Sequence, residues 1–328
     1  MMWSYIFIIF LLVQPEPSNF EPRTLNSRTF ELQTLEHSNL ELLTPKPYIL
    51  ILGIAQDGGY PHAGCQRDDC QKLFKQGKKG HLVSCIAIVD PASKQSWMID
   101  ATPDFPEQLE MLEKTTDTKL AGIFLTHAHI GHYTGLMHLG REVMGAKQMK
   151  VYAMPKMKTF LENNGPWEQL VALQNIVLQP LAADESVDLT EDLKITPFTV
   201  PHRDEYSETV GYQIESPDKK AIFIPDINKW GIWERDVVAE VQRVDIALLD
   251  GSFYEDGEIP GRDISEIPHP FVTESMDLLG DLTAKEKARV HFIHINHTNP
   301  LLRKGTAARK EVKRIGFKVA QEGQRISL

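Results

Sequence analysis

The chain has 328 residues, 42% of them hydrophobic and 24% charged, which is enough for a buried core in one large domain or two smaller ones. This composition excludes fibrous and wholly disordered chains. The formal net charge of -10 argues against non-specific nucleic-acid binding, which needs a basic face, but leaves a nucleotide substrate held by a metal open.

Residues 5–13 form an apolar run, Y-I-F-I-I-F-L-L-V, that suits a signal-peptide core and is short for a membrane span. We therefore predict a signal peptide at residues 1–13, a periplasmic or secreted location and no stable membrane span after processing. No Lys or Arg precedes the run and no small-residue cleavage site follows it, so a cytoplasmic location is the alternative.

Residues 14–46 contain three degenerate ten-residue repeats that begin at Phe20, Phe30 and Leu40. Three short copies cannot build a solenoid core, which indicates a low-complexity linker. We expect residues 1–45 to be dispensable for folding. A start codon assigned too early is a second explanation for the whole segment.

The folded domain is predicted to cover residues 47–328. The apolar and β-branched runs predict strands at residues 48–52, 83–89, 96–99, 120–125, 149–153, 176–178, 193–200, 209–214, 221–224, 246–249 and 290–295. Helical patterns lie at residues 104–114, 156–162, 233–241, 272–279 and 306–313. Because strands and helices interleave, with antiparallel-looking runs in the middle, the sequence indicates a layered α/β (α+β) fold.

The stretch T-H-A-H-I-G-H-Y at residues 126–133 carries the strongest chemical signal. It follows a buried-strand pattern, and side chains two apart share one side of a strand, so His127 and His129 can converge on one point. Gly131 permits a sharp turn, and His132 then opens a helix-like stretch with residues 136, 139 and 143 on one face. Three imidazoles here predict a metal site; the alternative is polar loop residues or helix caps.

Other candidate ligands also lie at the ends of predicted strands. His202 follows residues 193–200, Asp226 follows residues 221–224, and His294 lies near the end of residues 290–295. Zinc and iron both accept these ligand types. The candidate metal ligands are therefore His127, His129, His132, His202, Asp226 and His294.

The order of these residues resembles the metallo-β-lactamase superfamily, in which an H-x-H-x-D-H loop precedes a distant His, an Asp and a final His. The resemblance spans about residues 47–328 and implies an αββα sandwich with its metal site at one edge of the sheets. It implies that His127, His129 and His202 hold one metal. His132 and His294 would contribute to a second, bridged by Asp226.

One position departs from that family, because its loop aspartate falls at Gly131. The second site would thereby lose a carboxylate that often also orients the attacking water. We therefore expect occupancy nearer one metal per chain than two when metal is limiting. Asp57, Asp250 or His269 could substitute in space.

A closer resemblance, to pyrroloquinoline quinone biosynthesis protein B, runs through the flanking segments. It rests on G-I-A-Q-D-G-G-Y-P at residues 53–61, D-I-A-L-L-D-G-S-F at 245–253 and H-I-N-H-T-N-P at 294–300. The C-terminal I-G-F-K-V-A-Q-E-G at 315–323 is similar as well. That branch is associated with a metal-dependent, oxidative step in cofactor assembly, but its histidine loop is typically degenerate, whereas this chain keeps His127 and His129.

Two cysteines, Cys65 and Cys70, flank a short charged loop. In the resembled branch cysteines here hold a structural zinc, which needs four ligands; only these two are obvious, and His62 or His81 is a candidate addition. A disulfide is the alternative in an exported protein, and two free thiols in a cytosolic one. Cys85 is interpreted as a small core residue.

The leading functional hypothesis is a metal-dependent hydrolase that acts on a small-molecule substrate, with Asp226 and His132 as the catalytic residues. Its cofactor would be Zn2+, as one or two ions, because a three-imidazole site suits zinc and its hydroxide. Fe2+ is the alternative metal, in an oxygenase or cofactor-biosynthesis protein of the quinone branch. A non-catalytic binding protein is a third hypothesis, against which the retained ligand set argues. The substrate and the oligomeric state stay open.

Overall fold

The computed structural model describes residues 46–259 and 268–328. The predicted signal peptide and nearly all of the predicted linker lie outside these residues. The chain from Leu43 to Leu328 forms one compact unit. Within the described ranges, no helix has the length and apolarity needed to cross a membrane.

The first of two β-sheets is built mainly by the first half of the domain. Its strands are β1 (Tyr48–Gly53), β2 (Cys85–Asp90), β3 (Gln95–Ile99), β4 (Lys119–Phe124), β5 (Met149–Ala153), β6 (Ile176–Pro180) and β14 (Arg325–Ser327). Their spatial order is β14-β1-β2-β3-β4-β5-β6. The pairs from β3 to β6 are parallel, and those on the β1 side are antiparallel.

The second sheet follows the same plan. Its strands are β7 (Val187–Asp188), β8 (Lys194–Thr199), β9 (Val210–Glu215), β10 (Lys220–Ile224), β11 (Ile246–Asp250), β12 (Val290–Ile293) and β13 (Lys318–Val319). Their order is β13-β12-β11-β10-β9-β8-β7, parallel from β10 to β13 and antiparallel from β7 to β10. The antiparallel middle predicted from the sequence is therefore present.

Helices cover the sheets. They are α1 (Asp68–Gln76), α2 (Phe105–Thr115), α3 (Ile130–Tyr133), α4 (Pro155–Asn163), α5 (Trp167–Ala172), α6 (Val237–Gln242), α7 (Val272–Leu278), α8 (Ala284–Lys287) and α9 (Ala307–Ile315). Short 3-10 helices lie at Thr134–Leu139, Trp230–Ile232 and Pro300–Leu302.

The alternation of side chains along β1 shows the layers directly. Ile49 and Ile51 belong to a core shared with the second sheet and with α6, α7 and α9. Leu50 and Leu52 point the other way, into a second core with α2, α4 and α5. Residues two apart share a face of a strand, so one sheet separates the two cores. This confirms the predicted αββα sandwich.

The helix-like stretch predicted after His132 is partly wrong. The α-helix ends at Tyr133, and a 3-10 helix continues only to Leu139. Leu136 and Leu139 are buried as expected, but Val143 lies beyond the helix and is 63% exposed. Val143 has the spacing expected of the same helical face, but the helical segment ends before it.

Other differences lie at helix boundaries. Helices α1 and α5 were not predicted. The helix expected at residues 233–241 starts at Val237, because Asp236 caps it by accepting a hydrogen bond from the backbone N of Val238 at 2.9 Å. Cys85 opens β2 and is fully buried, as predicted.

Candidate metal centre

The six predicted ligands meet at one end of the two sheets. The first sheet provides the histidine loop: His127 and His129 follow β4, and His132 lies in α3. The second sheet provides His202, Asp226 and His294, each just beyond the end of β8, β10 or β12. Because ligands come from both sheets, packing of one sheet on the other assembles the centre.

The first ligand set consists of His127, His129, His202 and Asp226. The Nδ1 atom of His129 lies 2.8 Å from Nε2 of His127 and 3.3 Å from Nε2 of His202. The Oδ2 atom of Asp226 lies 3.4 Å from Nε2 of His127 and 3.3 Å from Nε2 of His202. Three imidazoles and a carboxylate therefore face one point, a donor set that zinc accepts.

The second ligand set contains a residue outside the six. It consists of Asp57, His132, Asp226 and His294. The Oδ1 atom of Asp57 lies 3.1 Å from Nε2 of His132 and 3.1 Å from Nε2 of His294. Both nitrogens lie 3.9 Å from Oδ2 of Asp226, so this oxygen is shared by the two sets. Of the three stand-ins named from the sequence, Asp57 is the one that reaches this set.

The outer ring nitrogens of four of the five histidines have a hydrogen-bond acceptor. His132 donates from Nδ1 to Asp100 at 2.7 Å, His202 donates to Asn228 at 3.0 Å, and His294 donates to Ser252 Oγ at 3.0 Å. His127 donates to Thr126 Oγ1 at 3.0 Å, and His129 Nε2 lies 3.6 Å from Glu205. A proton held on the outer nitrogen leaves the inner lone pair for a metal, so these residues fit a metal-binding site.

Sequence reasoning missed the residues that orient the ligands, chiefly Asp100 and Thr126. Asp100 is fully buried and accepts hydrogen bonds from His132 and from the hydroxyl and backbone N of Thr126. The sequence did contain a signal for Asp100, because this residue directly follows the strand predicted at residues 96–99, and several candidate ligands also follow predicted strands.

A third pair of side chains lies against the shared carboxylate. His269 donates from Nδ1 to Asp250 at 2.7 Å, and the same nitrogen is 3.3 Å from Oδ1 of Asp226. Among the described residues, Oδ1 of Asp226 has no hydrogen-bond partner although it is buried. Asp250 and His269 therefore lie on the Oδ1 side of Asp226, whereas both ligand sets lie on its Oδ2 side.

The electrostatics keep the two ligand carboxylates ionised. Burial raises the pKa of Asp57, but the charges and hydrogen bonds of His132 and His294 outweigh it and hold that pKa well below its ordinary value. Burial likewise opposes ionisation of Asp226, and His202, His269 and His294 together bring its pKa well below the ordinary value. Burial lowers the pKa of His127, which favours the neutral imidazole that a metal needs.

Two residues of the centre have left-handed backbones. His294 has φ 60° and Asp100 has φ 72°, a region that few residues other than glycine adopt. Such conformations persist where surrounding contacts demand them, and they cluster at functional sites. Here they turn a ligand and its supporting carboxylate into the centre.

The two predicted zinc cysteines lie outside this centre. Cys65 and Cys70 are buried free thiols, and burial together with the neighbouring Cys65 raises the pKa of Cys70 to about 11. His81 instead bonds to Glu322 and to the carbonyl of Leu302. Within the residues that the structure describes, no third ligand atom joins the two thiols in a metal-binding group. A structural zinc there stays a prediction.

An open groove borders the histidine loop, with a volume of about 600 Å³. Its wall includes Phe160 and Tyr206, whose ring centroids are 5.6 Å apart, together with Lys156 and Asp204. Glu205, which faces His129, lines the same groove. The groove therefore opens next to the first ligand set.

Comparison with known protein families identifies a superfamily domain in this chain. The beta-lactamase superfamily domain matches residues 97–295 of the chain. That range contains the histidine loop and the ligands of the second sheet; Asp57 precedes it.

Individual relatives extend the match over most of the chain. The coenzyme PQQ synthesis protein B of Nitrosococcus oceani is 26% identical over 316 residues, which cover 85% of this chain and 99% of that protein. The protein of the same name from Methylobacillus flagellatus is 28% identical, with 86% and 100% covered.

A solved structure shares the fold. The Zn(2+)-bound PqqB from Methylobacterium extorquens matches with a TM-score of 0.71 and 24% identity, and covers 86% of this chain and 100% of that one. The matched share runs over both sheets, so the likeness concerns the whole sandwich rather than one motif.

Proposed function

The chain belongs to the metallo-β-lactamase superfamily and resembles its PQQ synthesis protein B branch, and from that membership we propose that it is a metal-dependent hydrolase of a small-molecule substrate. The observation that supports this most is the convergence of two ligand sets on Oδ2 of Asp226. Hydrolases that act through two metal ions use such shared carboxylates to hold the ions side by side.

We propose zinc as the resident metal, held by His127, His129 and His202 with Asp226 shared. A bound zinc ion lowers the pKa of its water to about 7 and polarises the bond to be cleaved. Three neutral nitrogens and one carboxylate match zinc's preferred ligand types and coordination number. Fe2+ accepts the same donors, so elemental analysis of the purified protein is needed to identify the bound metal.

Asp226 has the position to handle the proton of the attacking water. Its Oδ2 faces the ligand nitrogens, while its buried Oδ1, without a hydrogen-bond partner among the described residues, faces His269. The hydrogen bond from His269 to Asp250 fixes that imidazole and leaves its Nε2 for other partners. Asp226 can therefore accept a proton, and His269 can hold one close by.

The groove beside the histidine loop is the proposed binding region for the substrate. Phe160 and Tyr206 offer flat apolar surface, and the groove carries one positive charge, on Lys156, and two negative charges, on Asp204 and Glu205. The sequence shows no cluster of basic residues that would clamp a phosphate, so the substrate class stays open.

The second candidate is an iron-dependent role in quinone-cofactor assembly. The similarity to coenzyme PQQ synthesis protein B, which covers 85–86% of this chain and 99–100% of those relatives, favours it. The retained pair His127 and His129, with both outer nitrogens directed at oxygens, favours water activation instead.

Metal analysis combined with an activity panel tests the proposal. The protein would be stripped with a chelator, reloaded with Zn2+ or Fe2+, and assayed with ester, phosphodiester and lactam substrates, with and without O2. Zinc-supported hydrolysis that is independent of O2 is expected. Turnover only with Fe2+, with consumption of O2, would favour the second candidate.

Replacing Asp226 tests the catalytic assignment. Asp226→Asn should lower kcat by about a hundredfold or more at saturating zinc, the scale of a lost general acid–base group. Asp236→Asn is the control, since Asp236 caps α6 away from the ligand sets. If Asp226→Asn keeps full activity with full metal content, the assignment is wrong.

A further inference from the structure

We propose that Asp57 replaces the loop aspartate of the superfamily, so that the centre holds two metal ions in spite of Gly131. This inference rests on the proposed metal-dependent function and adds to it the ligand that completes the second site. It also reverses the occupancy expected from the sequence alone.

The first argument is steric. Gly131 is buried within α3, and a Cβ atom placed on it would lie 2.6 Å from Cα, 2.7 Å from Cγ and 2.7 Å from Oδ1 of Asp57. The carboxyl group of Asp57 thus occupies the space into which a side chain at position 131 would extend. Since the φ of Gly131 is not left-handed, backbone freedom does not account for this glycine. The neighbouring Asp57 does.

The second argument is the direction of the carboxylate. Its Oδ1 lies 3.1 Å from the inner nitrogens of both His132 and His294, the two histidines of the second set. The outer nitrogens of these two histidines bond to Asp100 and Ser252. Their inner nitrogens therefore remain directed at Asp57. One oxygen centred between two imidazoles is the arrangement of a ligand.

The third argument is how the chain holds Asp57 there. It lies in a tight turn in which the backbone N of Gly59 donates to the carbonyl of Gln56 at 2.7 Å. The turn is tied to the strand end that carries His294, because Gln56 N donates to Ile295 O at 2.9 Å and Ile295 N donates to Ile54 O at 2.7 Å. These backbone hydrogen bonds fix the position of Asp57 relative to His294.

Charge explains why the second ion needs this residue. Without Asp57, the second set would consist of two neutral imidazoles and a carboxylate shared with the first ion. With it, two carboxylates face two dications inside a buried site, where uncompensated charge is expensive. Asp57 would therefore supply negative charge that strengthens binding of the second ion.

Counting bound ions tests the inference. Stripped protein would be titrated with Zn2+ and analysed by calorimetry and elemental analysis. The unmodified protein should bind two ions per chain. Asp57→Asn, which keeps the shape but loses the charge, should weaken the second ion at least tenfold and leave the first nearly unchanged. Asp68→Asn, an exposed residue at the start of α1, is the charge-matched control.

A carboxylate exchange makes the test sharper. The double variant Asp57→Gly/Gly131→Asp removes the carboxylate at position 57 and places one in the histidine loop instead. It should bind the second ion more tightly than the control Asp57→Gly/Gly131→Ala. Gly131→Asp alone should lower the melting temperature and add no third ion, since its Cβ meets Asp57. Circular dichroism of every stripped variant identifies those that fold.

Two outcomes would overturn the inference: two equally tight ions in a folded Asp57→Asn protein, or a single ion in the unmodified protein. Failure of the exchange variant to exceed its alanine control would also count against it. Two ions that depend on Asp57, without any hydrolysis, would uphold the ligand and reject the proposed function. One ion with zinc-dependent hydrolysis would do the reverse.

Discussion

His129 differs from the other candidate ligand histidines in the ring nitrogen that it turns towards the centre. It turns Nδ1 inward, whereas His127, His132, His202 and His294 present Nε2. The reason is local, because His129 lies one residue before α3 with an extended backbone, and its outer nitrogen faces Glu205 at the edge of the groove. Its ring is the most exposed of the first set.

His129→Ala should therefore cut zinc content sharply while leaving the fold intact. The substitution removes the nitrogen that lies within 3.3 Å of both of its histidine partners, and the side chain is partly exposed, so little packing is lost. Elemental analysis after dialysis measures the effect. His138→Ala, next to the centre in sequence but outside both ligand sets, should keep its zinc. Unchanged zinc in His129→Ala would remove His129 from the ligands.

At the scale of elements, three hydrogen bonds attach the end of β4 and the histidine loop to the second sheet. Tyr212 of β9 donates from its hydroxyl to the carbonyl of Leu125 at 2.6 Å. The backbone N of Val210 donates to Thr126 O at 3.1 Å, and Ala128 N donates to Ser207 Oγ at 2.8 Å. The loop that carries three candidate ligands is thus fixed by β9 and by Ser207, which precedes that strand.

Tyr212→Phe should destabilise the protein by about 1–3 kcal/mol, because it leaves the buried carbonyl of Leu125 without its donor while the ring still fills its space. Urea unfolding in the presence of chelator measures this loss apart from metal binding. Tyr206→Phe, at an exposed position, should change the free energy of unfolding by less than about 0.5 kcal/mol. Equal stability of both variants would show that the Tyr212 hydroxyl does not hold the loop.

The elements also show what the sequence can predict and why. Apolar runs such as those of β1 and β11 were found because buried strands are read from composition alone. His202, Asp226 and His294 were found as ligand candidates because each follows such a run. The role of Asp57 could not be chosen, since its place depends on pairing between residues 54–56 and Ile295, which are far apart in sequence. The prediction that Val143 lies on a buried helix face was wrong for a related reason, because the spacing of apolar residues does not show where a helix ends.

At the scale of the whole molecule, the compact unit begins at Leu43. Removal of residues 1–42 should leave cooperative unfolding at nearly the full-length temperature, since the decapeptide repeats offer no surface that could form a core. Calorimetric scans of both proteins at the same zinc concentration make the comparison, because bound metal itself shifts the transition. A large drop in the truncated protein would mean that the segment packs on the domain.

Acid sensitivity is a second property of the whole sandwich, and His291 of β12 should contribute to it. The ring is 4% exposed, and its Nδ1 has no hydrogen-bond partner among the described residues. Burial, with the charge of Lys318 on the paired strand, lowers the pKa of His291 to about 4. In the unfolded chain an ordinary histidine titrates near 6.5, so between these values the unfolded state binds the extra proton. The contribution of His291 to stability should therefore fall as the pH drops from about 6.5 towards 4.

For this residue alone the loss between pH 7 and pH 5 should be roughly 2 kcal/mol. His291→Gln removes the titration, so its free energy of unfolding should fall less than that of the unmodified protein over this interval, even if it is lower at pH 7. Urea unfolding at both pH values gives the comparison. The pH dependence of the metal centre is common to both proteins and cancels in the difference, provided that the two sites are independent. Parallel losses in the two proteins would mean that His291 can be protonated in the folded sandwich without disturbing it.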